Sequence, residues 1–254
     1  MIAELVLGLG VAFAFVLSRM AAFVAVSPVP GSWVPARVRV GLALLLALSA
    51  MPVVPASRVP LGPALVAPLF GEVVVGVAVG LVFRIVLAAA DLLGAQAAQA
   101  MGLTFAAVYD PTQASTVDPL TRLVTLLATV LALRVGAHRV VLGGLLASVQ
   151  AVPVGAAPNA AAMGPELLDL LAGSVACGLG LALPVVAVCL AVQLAVALVS
   201  RAAPSLQIFS VGLAVTLGGG LVVLLAGAED ALAGLAAQLG TLASAIERTL
   251  GAGT

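Results

Sequence analysis

The sequence predicts an all-α membrane protein: about six hydrophobic helices, several of them short or kinked, plus a C-terminal amphipathic helix. Three observations carry that expectation. Of the 254 residues, 63% are hydrophobic and only 8% are charged. A soluble domain carries about 45–50% apolar and about 25% charged residues, so this chain lacks the polar side chains to cover a soluble particle. The apolar residues also fall in runs close to the ~20 that cross a bilayer as a helix. Finally, only helices and closed barrels satisfy their backbone in lipid, and the runs show none of the alternation of a barrel strand.

The elements follow in order. Residues 5–29 are long enough to span and hold one charge, Arg19. Residues 40–54 are uninterrupted but short, flanked by Pro and Arg. Residues 65–93 form a long run carrying Glu72, Arg84 and Asp91. Residues 120–154 contain Arg122, Arg134, His138 and Arg139, and are expected to break into two shorter helices near Gly136. Residues 167–199 exceed one span and carry Pro184 in their middle, where the lost i−4 hydrogen bond predicts a kink. Residues 208–228 have no charge.

The tail, 229–250, has a different pattern. Leu232, Leu235, Leu239, Leu242, Ile246 and Leu250 recur at spacings of three and four, with Glu229 and Asp230 at the start and Arg248 near the end. That spacing and that charge order predict an amphipathic helix, lying on a membrane surface or packed on a partner. The connecting segments are short and Pro-rich, so residues 1–254 read as a single helical membrane domain. Met1-Ile-Ala-Glu4 lacks the positive charge that opens a cleaved signal peptide. Arg is spread over nearly every loop and sets no orientation.

Several function classes fall away. Ten Arg, no Lys, five Asp and five Glu leave a net charge of zero and no basic face for nucleic acid. Cys177 and Cys189 lie twelve residues apart in one apolar run, point in different directions on one helix, and read as buried thiols. His138 has no companion ligands, and there is no CxxC, HExxH, phosphate-binding loop or dinucleotide fingerprint. Glu166/Asp169 and Glu229/Asp230 sit at expected helix starts, where carboxylates stabilise the dipole. No catalytic residue, cofactor or metal is expected, and the chain does not read as an enzyme.

Charges within the runs are the informative residues, since each costs ~2.5–3.5 kcal/mol at a helix centre. Glu72, Gly76, Gly80, Arg84 and Ala88 follow one i+4 ridge, and Asp91 returns to nearly the same face. They form either a polar stripe facing a pore or proton path, or ion pairs that hold helices together. The second reading is preferred, because pores are lined by more polar groups than these. Arg19, Glu72, Arg84 and Asp91 are therefore expected at helix or subunit contacts. Gly76-x-x-x-Gly80, the series Ala90, Gly94, Ala98, Gly102, and the series Gly212, Thr216, Gly220 permit close helix approach. In a chain this rich in Ala and Gly, chance alone produces one such pattern.

Three segments in register resemble the flagellar biosynthetic protein FliR family and its injectisome counterparts, the T-type export-gate subunits. They are Ser18-Arg-Met-Ala-Ala-Phe-Val-Ala-Val-Ser-Pro28 with Val34-Pro-Ala-Arg-Val-Arg-Val-Gly-Leu42; Gly71-Glu-Val-Val-Val-Gly-Val-Ala-Val-Gly80 leading into Met101-Gly-Leu-Thr-Phe-Ala-Ala-Val-Tyr-Asp-Pro111; and Leu181-Ala-Leu-Pro184 leading into Ser200-Arg-Ala-Ala-Pro-Ser-Leu-Gln-Ile-Phe-Ser-Val-Gly212. The chain departs from the family pattern at Ala100, where Gln is usual, and at Gln193 and Gln207, where Asn is common.

The resemblance implies a structural subunit of the type III export gate. Such a subunit joins P- and Q-type sister subunits in the bacterial inner membrane at the flagellar basal body. It associates with A- and B-type components, and unfolded flagellar proteins pass through the assembly. It also implies that the segment from Phe105 to Pro119, with Tyr109, Asp110, Pro111 and Asp118, plugs the closed pore. From the residues alone, a plug and a plain solvent loop are equal readings. The alternatives are an injectisome gate subunit, or a small secondary transporter or ion channel. The transporter would need a polar site near the bilayer midplane, with Glu72, Arg84, Asp91 and Gln193 as its candidates.

Overall fold

The computed structural model describes residues 2–29, 31, 34–54, 66–104, 118–156, 158–202 and 208–253. All regular structure among them is helical: α1 (Ile2–Val26), α2 (Ala36–Ala50) with a 3-10 turn at Met51–Val53, α3 (Val66–Ala100), α4 (Pro119–Val135), α5 (Ala137–Ala151), α6 (Ala160–Ala202), α7 (Ile208–Ala226), α8 (Ala228–Gly240) and α9 (Leu242–Ala252). Four helices among the described residues are long and apolar enough to cross a membrane: Gly8–Val26, Ala36–Val53, Val66–Ala100 and Ala160–Arg201. Counting each broken pair as one span gives up to six.

Local chemistry sets the boundaries. Helix α1 stops at Ser27-Pro28, since the residue before a proline avoids helical backbone. Pro35 precedes α2 with extended backbone at ψ 142°. Pro119 occupies the first position of α4, where its missing N–H costs nothing. The expected break at Gly136 is present, with φ 82°, a conformation that glycine adopts without a Cβ penalty. Asn159 opens α6, its Oδ1 accepting the Ala162 N–H at 3.3 Å. The helix then runs 43 residues, unbroken through Pro184. Glu229 and Asp230 lie in the first turn of α8.

The chain divides into two compact units. Unit one comprises residues 1–86, 136–172 and 240–254. Its core includes Phe15, Val16, Met20 and Phe23 of α1, Val75, Val79, Val82 and Phe83 of α3, and Val141, Leu145 and Val149 of α5. Helix α2 packs on α1, and α9 packs on α5, burying Leu242, Ala245, Ile246, Thr249 and Leu250. The amphipathic tail is thus divided at Thr241, and its last part is covered by its own chain.

Unit two comprises residues 87–135 and 173–239. Leu93, Ala97, Ala98 and Met101 are buried in it, as are Val124, Ala128 and Ala132 of α4, Val185 and Cys189 of α6, and Leu235 and Leu239 of α8. Within it Gln238 of α8 donates to the Ser174 hydroxyl at 2.9 Å.

Candidate functional site: a buried ion-pair hub and the end of helix α3

In unit one, two charges separated by 53 positions in the chain meet. Arg19 Nε donates to Glu72 Oε2 at 2.6 Å, and the two side chains are 1% and 0% exposed. The Arg19 Nη1 donates to the Ser148 carbonyl at 2.7 Å and to its hydroxyl at 3.2 Å. Nη2 donates to the Val152 carbonyl at 3.0 Å. Four of the five guanidinium N–H groups are therefore engaged. The second Glu72 oxygen accepts the Gly155 N–H at 2.8 Å, from a turn in which Gly155 takes φ 84°.

This satisfaction is what makes the pair tolerable. Each ion loses several kcal/mol of hydration on burial, and mutual attraction compensates only when the remaining donors and acceptors are filled. The hub ties α1, α3, the end of α5 and the following turn into one arrangement. With both groups engaged and buried, neither presents a free carboxylate or cation to a substrate. Its chemistry is to hold helices in register.

Glycine lets the backbones come that close. A Cβ at Gly76 would fall on the carbonyl oxygen of Arg19 itself and 3.0 Å from the Ala22 Cβ. One turn on, a Cβ at Gly80 would lie 3.2 Å from the Phe23 carbonyl oxygen. In unit two, an added Cβ would lie 2.7 Å from the Thr121 Cα at Gly94, 2.9 Å from Val196 at Gly212, and 2.7 Å from Met101 and 2.8 Å from the Cys189 sulfur at Gly220.

Gly102 has a different part. It ends α3 in the left-handed region at φ 78°, with its N–H bonded to the Gln99 carbonyl at 3.1 Å and that of Leu103 to Ala98 at 3.0 Å. This paired cap closes the helix and turns the chain out. Beside it, Gln193 of α6 donates to the Ala100 carbonyl at 3.0 Å, so two positions that depart from the family pattern meet in one hydrogen bond. A cavity of about 710 Å³ lies there, lined by Gln99, Met101, Thr104, Gln193, Leu213 and Thr216 among others.

The other sequence-identified residues are dispersed. Asp91 accepts a hydrogen bond from the Thr125 hydroxyl of α4. Arg84 is exposed and has no hydrogen-bond or ion-pair partner among the described residues. Phe105, Tyr109, Asp110 and Pro111 lie outside the described residues; Asp118 and Pro119 form the start of α4, with the Arg122 N–H bonded to the Asp118 carbonyl at 3.0 Å. No group of three or more His, Cys, Asp or Glu side chains able to hold a metal occurs among the described residues.

Sequence reasoning missed Ser148, Val152 and Gly155. Two of them act through the backbone, though Gly155 just after Pro153 is a readable turn signal. It also missed the close approaches at Gly178, Gly144 and Gly234, where an added Cβ would fall 2.5 Å from the Ala89 carbonyl oxygen, 2.7 Å from Ile246 and 2.9 Å from Leu181.

Apolar spans, glycine-mediated contacts and a sealed ion pair define a multi-pass helical membrane protein built on close helix packing. The family described as bacterial export proteins, family 1, matches residues 10–241. The flagellar biosynthetic protein FliR of Escherichia coli (strain K12) is 32% identical over 215 residues, 83% of this chain and 81% of that protein. Its namesakes from Caulobacter vibrioides and Bacillus subtilis are each 30% identical, covering 83% and 80% of this chain and 86% and 80% of theirs. The chain belongs to this family, the FliR family of bacterial export proteins.

Proposed function

We propose that this chain is a structural subunit of the flagellar type III protein export gate, set in the bacterial inner membrane at the basal body. It forms, with P- and Q-type sister subunits, the channel through which unfolded flagellar proteins leave. It works beside the A- and B-type export components, and its own contribution is architecture, not catalysis. The single observation that carries this reading is the family match over residues 10–241, with relatives named for flagellar biosynthesis matching about four-fifths of the chain. The fold supports it. Only 17% of the most apolar 18-residue stretch of Ala160–Arg201 is buried, so most of that stretch is left for lipid or another chain.

Within that role, residues 105–119 are the pore plug. The Gly102 cap supports this reading on one side and the Pro119 helix start on the other, since both ends of the segment have a fixed anchor. Deleting residues 111–117, which spares the α4 start, is expected to make the closed gate leak ions in membrane vesicles; unchanged conductance would remove the plug assignment. For the larger reading, deleting the gene should abolish flagella, and the full-length chain should restore them. Intact flagella without the gene, or a lone purified chain that moves a small solute across liposomes, would replace the gate with the transporter reading.

A further inference from the structure

Helix α9 is fastened to unit one at two places. At the first, a Cβ on Gly144 of α5 would lie 2.7 Å from the Ile246 side chain, so Ile246 rests on bare backbone. At the second, just past the end of α9, the Gly253 carbonyl accepts the Asn159 N–H at 3.1 Å. A Cβ on Gly253 would also lie 2.6 Å from the side chain of Met163, which is 2% exposed. The seven residues from Ile246 to Gly253, about 10 Å of helix, thus bracket the corner between Gly144 and Asn159.

Every group that this corner lends to the ion-pair hub lies inside the bracket. Ser148 and Val152 accept three of the four hydrogen bonds from Arg19, and the Gly155 N–H donates to Glu72. Beside Glu72, a Cβ on Gly71 would lie 2.7 Å from Pro158 and 3.0 Å from the Ala156 carbonyl oxygen, so the corner is pressed onto α3. The two sides of this arrangement differ in what release costs them. Helix α9 buries Leu242, Ile246 and Leu250 and exposes Ser244, Glu247 and Arg248. Such an amphipathic helix is satisfied by a protein groove or by a membrane surface, so leaving α5 need not strand its apolar stripe. The hub has no second set of partners: if the corner lifts, Arg19 keeps only Glu72, and water must fill the vacated bonds.

We infer that α9 is a clasp on the buried ion pair. Docked, it holds the corner that seals Arg19 and Glu72; released onto a membrane surface, it opens the pair to water and loosens the contact of α1 with α3. Every contact involved lies within unit one, and the inference does not depend on the export-gate reading.

Amide hydrogen exchange of the tagged full-length chain in detergent, resolved to single residues, tests it. In the wild type at rising denaturant, the Gly155 amide, whose acceptor is Glu72, should open together with the amides of α9 and with the same denaturant dependence. Ile246→Asn should undock α9 and raise exchange at Gly155 by about tenfold or more, leaving the amides of residues 93–100 in unit two unchanged. Glu247→Ala, on the exposed face of α9, should change neither. Coupling is reciprocal, so Glu72→Gln, which removes the charge but keeps the shape, should speed exchange in α9. An I246N chain whose α9 exchanges freely while Gly155 stays as protected as in the wild type overturns the inference. So does an E72Q chain whose α9 exchanges at the wild-type rate. If I246N speeds exchange throughout both units, or leaves α9 protected, the wild-type series decides alone: a shared opening supports the clasp, and separate openings of α9 and Gly155 overturn it.

Discussion

At the scale of single residues, the most consequential contact is Arg19–Glu72, because a charge there cannot be abandoned cheaply. Glu72→Ala strands a guanidinium that is 1% exposed, and the expected loss is about 3–5 kcal/mol. In detergent this should lower the unfolding midpoint by about 6 °C or more. Adding Arg19→Met to the same chain should cost much less than it does alone, since the second substitution removes the stranded charge. Strictly additive losses would show that the two residues act independently. Gly76 gives a sharper steric test. Gly76→Ala places a methyl on the Arg19 carbonyl and should cost about 1–3 kcal/mol by forcing α1 and α3 apart. Gly218→Ala, with nothing within 4 Å of the new atom, should be neutral or stabilising by up to about 1 kcal/mol. Equal effects in a thermal-stability assay would refute the close-approach argument. Both charges of the hub were readable as anomalies in apolar runs, because hydrocarbon penalises them wherever they sit. Their partners were not readable, because a carbonyl such as that of Val152 exists at every position and only the fold selects one.

At the scale of elements, periodicity and breakers located the helices well. The break at Gly136 followed from charges and glycine inside an overlong run, and the left-handed backbone there gives it a cause. At Pro184, where a kink was expected, α6 does not end, because a long membrane helix can lose one hydrogen bond without stopping. The tail shows where a pattern stops being sufficient. Its three–four spacing identified an apolar stripe but not what covers it, since any apolar surface satisfies the same stripe. In the structure α9 docks on α5, with Ile246 seated where Gly144 leaves room for it. Ile246→Ala should therefore cost about 2–5 kcal/mol and expose the tail to protease in detergent, while Leu232→Ala, on an exposed position of α8, should not. Equal protease protection in the two variants would place the stripe against something other than α5.

At the scale of the whole molecule, hydrophobicity and burial do not coincide. The most apolar 18-residue stretches of the helices differ in burial: 17% in α2 and in α6, against 61% in α3. Leu183, Leu190, Leu194 and Leu198 lie exposed along α6. A chain that buries one long helix and leaves another bare has apolar faces for lipid or other chains to cover, and it belongs to a family of bacterial export proteins. That composition demands a membrane was legible from the first reading; which apolar faces meet lipid and which meet protein was not, because both environments favour the same side chains. The most direct measurement is to purify the tagged full-length chain from the membranes of cells that make flagella and identify what accompanies it. A gate subunit should arrive in a stable complex with P- and Q-type sister subunits in fixed proportion. A chain that purifies alone, folded and stable, with its apolar faces covered only by detergent, would contradict the export-gate function.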